Sequence, residues 1–94
     1  MSCFKSFNLL HRFNTLICSL NEQQLNRLSY LVSQREDFLR LAQSNYNTKI
    51  FLDSFSQDSS LFTKKNRICE SSYYLSCNEN QNFTKIVEKI LEEK

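Results

Sequence analysis

Apolar residues recur at alternating spacings of three and four across residues 21–46. This spacing keeps them on one side of an α-helix. Arg35 is the one charged residue within the row. The pattern predicts a single long helix of roughly 39 Å, enough to span a small domain from side to side. The apolar positions are Leu25, Leu28, Val32, Leu39, Ala42 and Tyr46, with Leu31 and Phe38 beside them.

A second apolar row lies in residues 3–19 and predicts a first helix that packs in the core. Ser19 with Glu22, or Asn21 with Gln24, has the spacing of a capping box at the start of the long helix. Because the connection between the two helices would be very short, we expect them to fold back as an antiparallel hairpin. The row consists of Phe4, Phe7, Leu10, Phe13 and Ile17, and continues to Leu20.

The C-terminal part of the chain predicts one further helix, with Asn80 or Asn82 as its N-cap. Between the long helix and this last one, a short helix capped by Thr48 is expected. The apolar side of the short helix is Ile50, Phe51, Leu52 and Phe55, and that of the last helix is Phe83, Ile86, Val87, Ile90 and Leu91.

Residues 61–77 fit three conformations. A helix is one, although its apolar stripe is interrupted at Lys65 and Ser72. A short β-hairpin turning at residues 65–66 is the second, because the flanking runs contain aromatic and β-branched residues. An irregular ordered loop is the third. The pattern alone leaves all three open.

The composition favours helices throughout. The 94 residues contain no glycine and no proline. Glycine is the usual residue at positive φ and in primed hairpin turns, so its absence disfavours tight β-hairpins. It also disfavours the glycine-rich loops that bind phosphates and dinucleotides. We therefore predict an all-α fold, with residues 1–94 forming a single helical domain built on the helical hairpin and closed by the C-terminal helix.

Charge and cysteine content bear on the compartment. The net charge is only +2, but the first acid is Glu22. The acid-free, amphipathic start is also compatible with an organelle-targeting segment or a helix lying on a membrane surface. The four cysteines form no Cys-x-x-Cys pair, which favours free thiols in the cytoplasm or another reducing compartment. No apolar run reaches the length of a transmembrane helix.

Residues suited to catalysis or metal binding are few. His11 is the only histidine, and nothing in the sequence supplies it with an orienting partner. Cys3, His11 and Cys18 would lie on one side of a helix, but two turns apart, or roughly 11 Å. That separation is too large for them to share one zinc ion. We therefore expect no enzyme activity, no metal site and no cofactor.

The aromatic content, 13% of residues, is high for a chain of this length. Part of this apolar surface is expected to be covered by a protein partner or by a second copy in a homodimer. The expected function is a protein–protein interaction module, an adaptor, inhibitor or regulatory subunit, with Phe4, Phe7 and Phe13 as its contacts. These rings could equally be buried internally.

Binding of nucleic acid by a small transcriptional regulator is the alternative function. It would use the basic residues Lys64, Lys65 and Arg67, which precede the aromatic pair Tyr73 and Tyr74. Basic side chains bind phosphates and aromatic rings stack on bases, although three charges give only a weak contact.

Overall fold

The described part of the chain is built from α-helices and one 3-10 turn, which confirms the predicted all-α fold. The computed structural model describes residues 2–56 and 59–93, with side chains from Asn8 onward. No strand occurs in these residues, and none of their helices is long and apolar enough to cross a membrane. The elements are α1 (Ser2–Cys18), α2 (Glu22–Ser33), α3 (Glu36–Ser44), α4 (Tyr46–Ser56), α5 (Leu61–Ser71), the 3-10 turn (Ser72–Tyr74) and α6 (Cys77–Glu92).

The C-terminal helix α6 forms the most extensive helix–helix contact of the described chain. It provides the main packing surface for α1 and also packs against α2. Helices α3 and α5 both pack against α4. The predicted hairpin of α1 and α2 is not confirmed, because the principal neighbour of α1 is α6 and its second is α5. The contact that organises the domain is thus between the first helix and the last.

The predicted long helix is two helices, and this prediction was wrong at Arg35. The backbone of Arg35 is extended, with φ −85° and ψ 112°, and it separates α2 from α3. Its guanidinium binds the Asp37 carboxylate through two hydrogen bonds of 3.0 and 2.7 Å. After the break, α3 is oriented so that Phe38 is buried. An unbroken helix was predicted to bury Leu39, but that side chain is 44% exposed.

Residues 61–77 form helix α5 and the 3-10 turn, so the alternatives of a hairpin or an irregular loop are wrong. Both residues that interrupt the apolar stripe have hydrogen-bond partners, one on α1 and one in the preceding turn of α5. The Lys65 ammonium donates to the carbonyl oxygen of Cys18 at 3.1 Å. Ser72 is fully buried, and its hydroxyl donates to the carbonyl oxygen of Cys69 at 2.6 Å.

Helices α2, α4, α5 and α6 begin with side-chain caps, whereas α3 has none. Asn21 and Gln24 form the capping box at the start of α2, one of the two predicted registers. Asn45, rather than Thr48, accepts the first backbone N–H groups of α4. Ser76 caps α6, so the predicted caps at Asn80 and Asn82 are wrong. No described residue has positive φ, which explains how a chain without glycine makes these junctions.

Phe83 on α6 is the centre of an aromatic core. Its ring is 0% exposed and lies 4.4–5.7 Å, centroid to centroid, from four other buried phenylalanine rings. Most of these contacts are edge-to-face, the geometry that aromatic pairs favour. The four rings come from three helices and all contact Phe83 of α6: Phe13 of α1, Phe38 of α3, and Phe51 and Phe55 on neighbouring turns of α4.

Buried polar side chains connect α4 to α5 and α6, and connect α6 to the 3-10 turn. The Thr48 hydroxyl donates to a carboxyl oxygen of Glu79 at 3.1 Å. The hydroxyls of Ser54 and Ser71 are 2.8 Å apart. The Asn80 amide donates to two backbone carbonyl oxygens of the 3-10 turn and its exit, both at 3.2 Å. Because a buried polar group without a partner is costly, these pairs define how the helices must meet.

Candidate protein-binding surface

Phe62 is the one phenylalanine with a described side chain that stays at the surface. Its side chain is 74% exposed, whereas Phe13, Phe38, Phe51, Phe55 and Phe83 are buried. A phenylalanine carries no polar atom that could gain from water, so an exposed ring leaves apolar surface available for a partner.

The first turn of α5 determines where Phe62 lies. The Ser60 hydroxyl accepts from the backbone N–H of Thr63 and caps the helix. This cap defines the register in which Leu61 packs against the hydrophobic core. Phe62, one residue and about 100° further around the helix, then faces outward.

Phe62 borders a cleft of about 360 Å³ between the end of α1 and the start of α5. We call this cleft and the Phe62 ring the Phe62 surface. The ammonium of Lys65 is held within it by the hydrogen bond to the carbonyl of Cys18, where the last turn of α1 leaves carbonyl groups without helical partners. The lining residues are Cys18, Leu61, Phe62, Lys65 and Asn66.

Cys69 lies one turn beyond Lys65 on the same helix. Burial raises the pKa of the Cys69 thiol to about 12, with smaller contributions from Cys18 and Glu70. The thiol is therefore protonated at neutral pH, and a protonated thiol is a poor nucleophile. Cys69 does not line the Phe62 surface. That surface offers the ring of Phe62, the aliphatic side chain of Leu61, and the polar groups of Lys65 and Asn66, which are suited to binding.

Of the aromatic residues predicted as partner contacts, only Phe13 has a described side chain. The side chains of Phe4 and Phe7 lie outside the described residues. Phe13 lies inside the core, 6.4 Å from the ring of Phe51 and 5.7 Å from that of Phe83. It is therefore internal to this chain, the second of the two alternatives that the sequence left open.

The predicted basic residues all lie on α5. Lys64, Lys65 and Arg67 are half-buried, and the nitrogen of Lys65 is directed to the end of α1. Tyr73 and Tyr74 are 60% and 59% exposed in the 3-10 turn that follows this helix. The segment thus lies at the surface, and the Lys65 ammonium already has a protein partner at the end of α1.

Sequence reasoning did not single out Phe62. Leu61 and Phe62 form an apolar pair, and without knowing the conformation of residues 61–77 neither could be assigned to the core. The available signal was Ser60, an N-cap residue immediately before the pair. Had this cap been recognised, the helical register would have placed Leu61 with Ile68 and left Phe62 outside.

Other exposed aromatic side chains are tyrosines on different elements. Tyr30 on α2 is 60% exposed, and Tyr46 at the start of α4 is 74% exposed. A tyrosine hydroxyl remains solvated at such positions, so its exposure needs no partner to explain it. Tyr46 thus provides a control position of matched exposure.

Comparison with protein-family models, curated protein sequences and solved structures found no match to this chain.

Proposed function

We propose that this chain is a non-enzymatic protein-binding module that contacts its partner through the Phe62 surface. The observation that carries the proposal is the 74% exposure of Phe62 in a chain that buries its other described phenylalanines. Adaptors, inhibitors and regulatory subunits act through such surfaces.

The energetics support an anchoring role for Phe62. Full burial of a phenylalanine side chain stabilises by about 1.5–3 kcal/mol, so covering a ring that is three-quarters exposed contributes roughly 1–2 kcal/mol. Residues of this size at the centre of an interface contribute most of the affinity when polar groups surround them. Lys65 and Asn66 supply such a polar rim.

The first experiment asks whether the partner is a second copy of this chain. Sedimentation velocity over a concentration series would detect a homodimer. Phe62→Ala removes one ring from each copy, so it should weaken the association by at least about thirtyfold, the equivalent of about 2 kcal/mol. Tyr46→Ala, at a position of equal exposure, should leave it unchanged.

A monomeric result leads to the second experiment, which searches for a different protein. A photo-crosslinking amino acid placed at position 62 in the full chain should give a discrete adduct in extract of the native cells. The same amino acid at position 46 should not. The proposal is wrong if neither self-association nor a position-62 adduct is found, or if both positions give the same adducts.

Nucleic-acid binding by Lys64, Lys65 and Arg67 is the competing function, and it has less support because Lys65 already caps α1. Fluorescence anisotropy with a generic labelled duplex tests it at low and physiological salt. If the segment binds phosphates, Lys64→Glu should reduce the affinity more than Lys49→Glu, an equal charge change on α4. Equal effects, or no binding, would exclude this function for the segment.

The proposed compartment is a reducing one, such as the cytoplasm. The thiols of Cys18, Cys69 and Cys77 are free, and Cys18 is exposed. An oxidising compartment would convert an exposed thiol of this kind to a disulfide or an oxidised acid.

A further inference from the structure

A second cleft, of about 330 Å³, lies between α2 and α6 and has a composition unlike that of the Phe62 surface. Its floor is aliphatic, because Leu31 and Ile86 are half-buried side chains that pack against the core. Its rim is cationic and polar. The lining residues are Leu31, Arg35, Asn82, Lys85, Ile86 and Lys89.

Four of these residues come from one stripe of α6. Asn82, Lys85, Ile86 and Lys89 follow the spacing i, i+3, i+4 and i+7, which puts them on one side of the helix. The adjacent stripe, which contains Phe83, faces the core. Helix α6 therefore presents two faces, one for the core and one that lines the cleft.

Two carboxylates close to the lysines in sequence are bound to arginines on other helices. Glu88, between Lys85 and Lys89 in sequence, pairs with Arg12 on α1. Glu93 interacts with Lys89 at longer range, but its carboxylate is hydrogen-bonded to Arg27 at 2.7 Å. Among the described side chains, neither lysine forms an ion pair.

Arg35 forms a fixed end wall of the cleft. Its guanidinium is bonded to the Asp37 carboxylate and lies 5.3 Å from the centre of the Phe38 ring. The hydrogen bond from Arg35 holds the pKa of Asp37 below its usual value, so this pair remains ionised at neutral pH. The Lys85 and Lys89 ammonium groups supply the positive charge at the rim of the cleft.

We propose that this cleft binds an acidic peptide segment, with one apolar side chain of the peptide on Leu31 and Ile86 and flanking carboxylates against Lys85 and Lys89. The charge complementarity specifies acidic residues and the aliphatic floor specifies an apolar anchor. The floor consists of only two side chains under an open rim, which is too little to enclose a fatty-acyl chain. It also lacks the aromatic rings on which nucleic-acid bases stack.

This inference does not rest on the Phe62 surface, because the two clefts share no residue. The chain would then bind two partners, or two parts of one partner, on separate faces. Phe62→Ala is expected to bind the acidic peptide as the unmodified chain does, so the two proposals fail independently.

The test uses the full chain and a fluorescein-labelled peptide with a central leucine flanked on both sides by glutamates. Fluorescence anisotropy should show saturable binding. Lys85→Glu should weaken the binding by about tenfold, because it replaces an attraction by a repulsion at the rim. Lys49→Glu, an equal charge change at an exposed position on α4, should change the affinity by less than about twofold. Circular dichroism checks that each variant is folded.

Two altered peptides separate the parts of the proposed recognition without altering the protein. Replacing the glutamates by glutamines removes the charge, and replacing the leucine by serine removes the apolar anchor. Both peptides should bind more weakly than the parent.

The inference is overturned if the parent peptide does not bind saturably, or if Lys49→Glu weakens binding as much as Lys85→Glu. It is equally overturned if the serine peptide binds as well as the parent, since the aliphatic floor would then have no role. A further contrary outcome is that Lys85→Glu weakens binding of a generic DNA duplex and leaves the peptide affinity unchanged.

Discussion

The position of Phe83 at the centre of five aromatic rings can be tested by removing its side chain. Phe83→Ala deletes a ring that is 0% exposed and that contacts rings from α1, α3 and α4. Replacing a buried phenylalanine by alanine typically costs about 3–5 kcal/mol, because the lost transfer free energy is joined by the cost of a cavity. A domain of this length has about 5–14 kcal/mol of stability, so the variant should lose about a fifth of it or more.

Phe83→Leu separates the aromatic contribution from the cavity. Leucine keeps most of the volume and loses the edge-to-face contacts, which are worth about 0.5–1.5 kcal/mol each and are not additive. We expect this variant to lose about 1–3 kcal/mol, clearly less than Phe83→Ala. Phe62→Ala is the matched control, because the same residue type is removed from an exposed position and should cost less than about 0.5 kcal/mol.

The assay is urea unfolding followed by circular dichroism at low protein concentration, so that association does not contribute. With an m-value of about 1.5 kcal/mol/M, Phe83→Ala should lower the unfolding midpoint by roughly 2–3 M. The aromatic core is misplaced if Phe83→Ala unfolds at the same midpoint as the unmodified chain, or if Phe62→Ala is as destabilising.

Two further predictions concern buried polar and thiol groups. Thr48→Val should lower the free energy of unfolding by about 1–3 kcal/mol, because it leaves a buried carboxyl oxygen of Glu79 without its hydrogen bond. The control Thr15→Val removes an exposed hydroxyl bond within α1 and should cost about 0.5 kcal/mol or less. Equal costs in urea unfolding would contradict the buried contact. Because burial raises the pKa of Cys69 from 9.0 to about 12, iodoacetamide at about pH 8 should alkylate Cys69 at least about tenfold more slowly than the exposed Cys18, as peptide mass spectrometry would show. Equal alkylation rates of Cys69 and Cys18 in the folded chain would refute the burial. The same raised pKa means that the contribution of the thiol to stability is fully present below about pH 9 and is lost as the pH rises towards 12.

Local sequence was sufficient to predict the class of fold and the start of α2. The absence of glycine and proline favours helices and can be seen in the sequence directly. Helical periodicity is a local signal, because it relates residues only three or four positions apart. The capping box of Asn21 and Gln24 was predicted for the same reason. A cap depends on a side chain and a backbone N–H group three residues later, so no distant part of the chain is needed.

The break at Arg35 shows where local pattern is insufficient. The apolar spacing continues through residues 32–39, so a single helix satisfies it. The chain is instead extended at Arg35, and Phe38 rather than Leu39 reaches the ring of Phe83. Only the position of α6, about 45 residues later in the chain, determines which of the two faces is buried.

The candidate surfaces depend even more on tertiary structure. Phe13 and Phe62 are the same residue type on two amphipathic helices, yet one is in the core and the other is at the surface. The cationic cleft joins Arg35 to Lys85 and Lys89, residues about 50 positions apart in the chain. The sequence by itself therefore determined that the chain forms amphipathic helices, whereas the packing of those helices decided which apolar side chains the core accommodates. The physical reason is that periodicity arises from neighbouring residues, but burial is a competition among all the helices for one small interior.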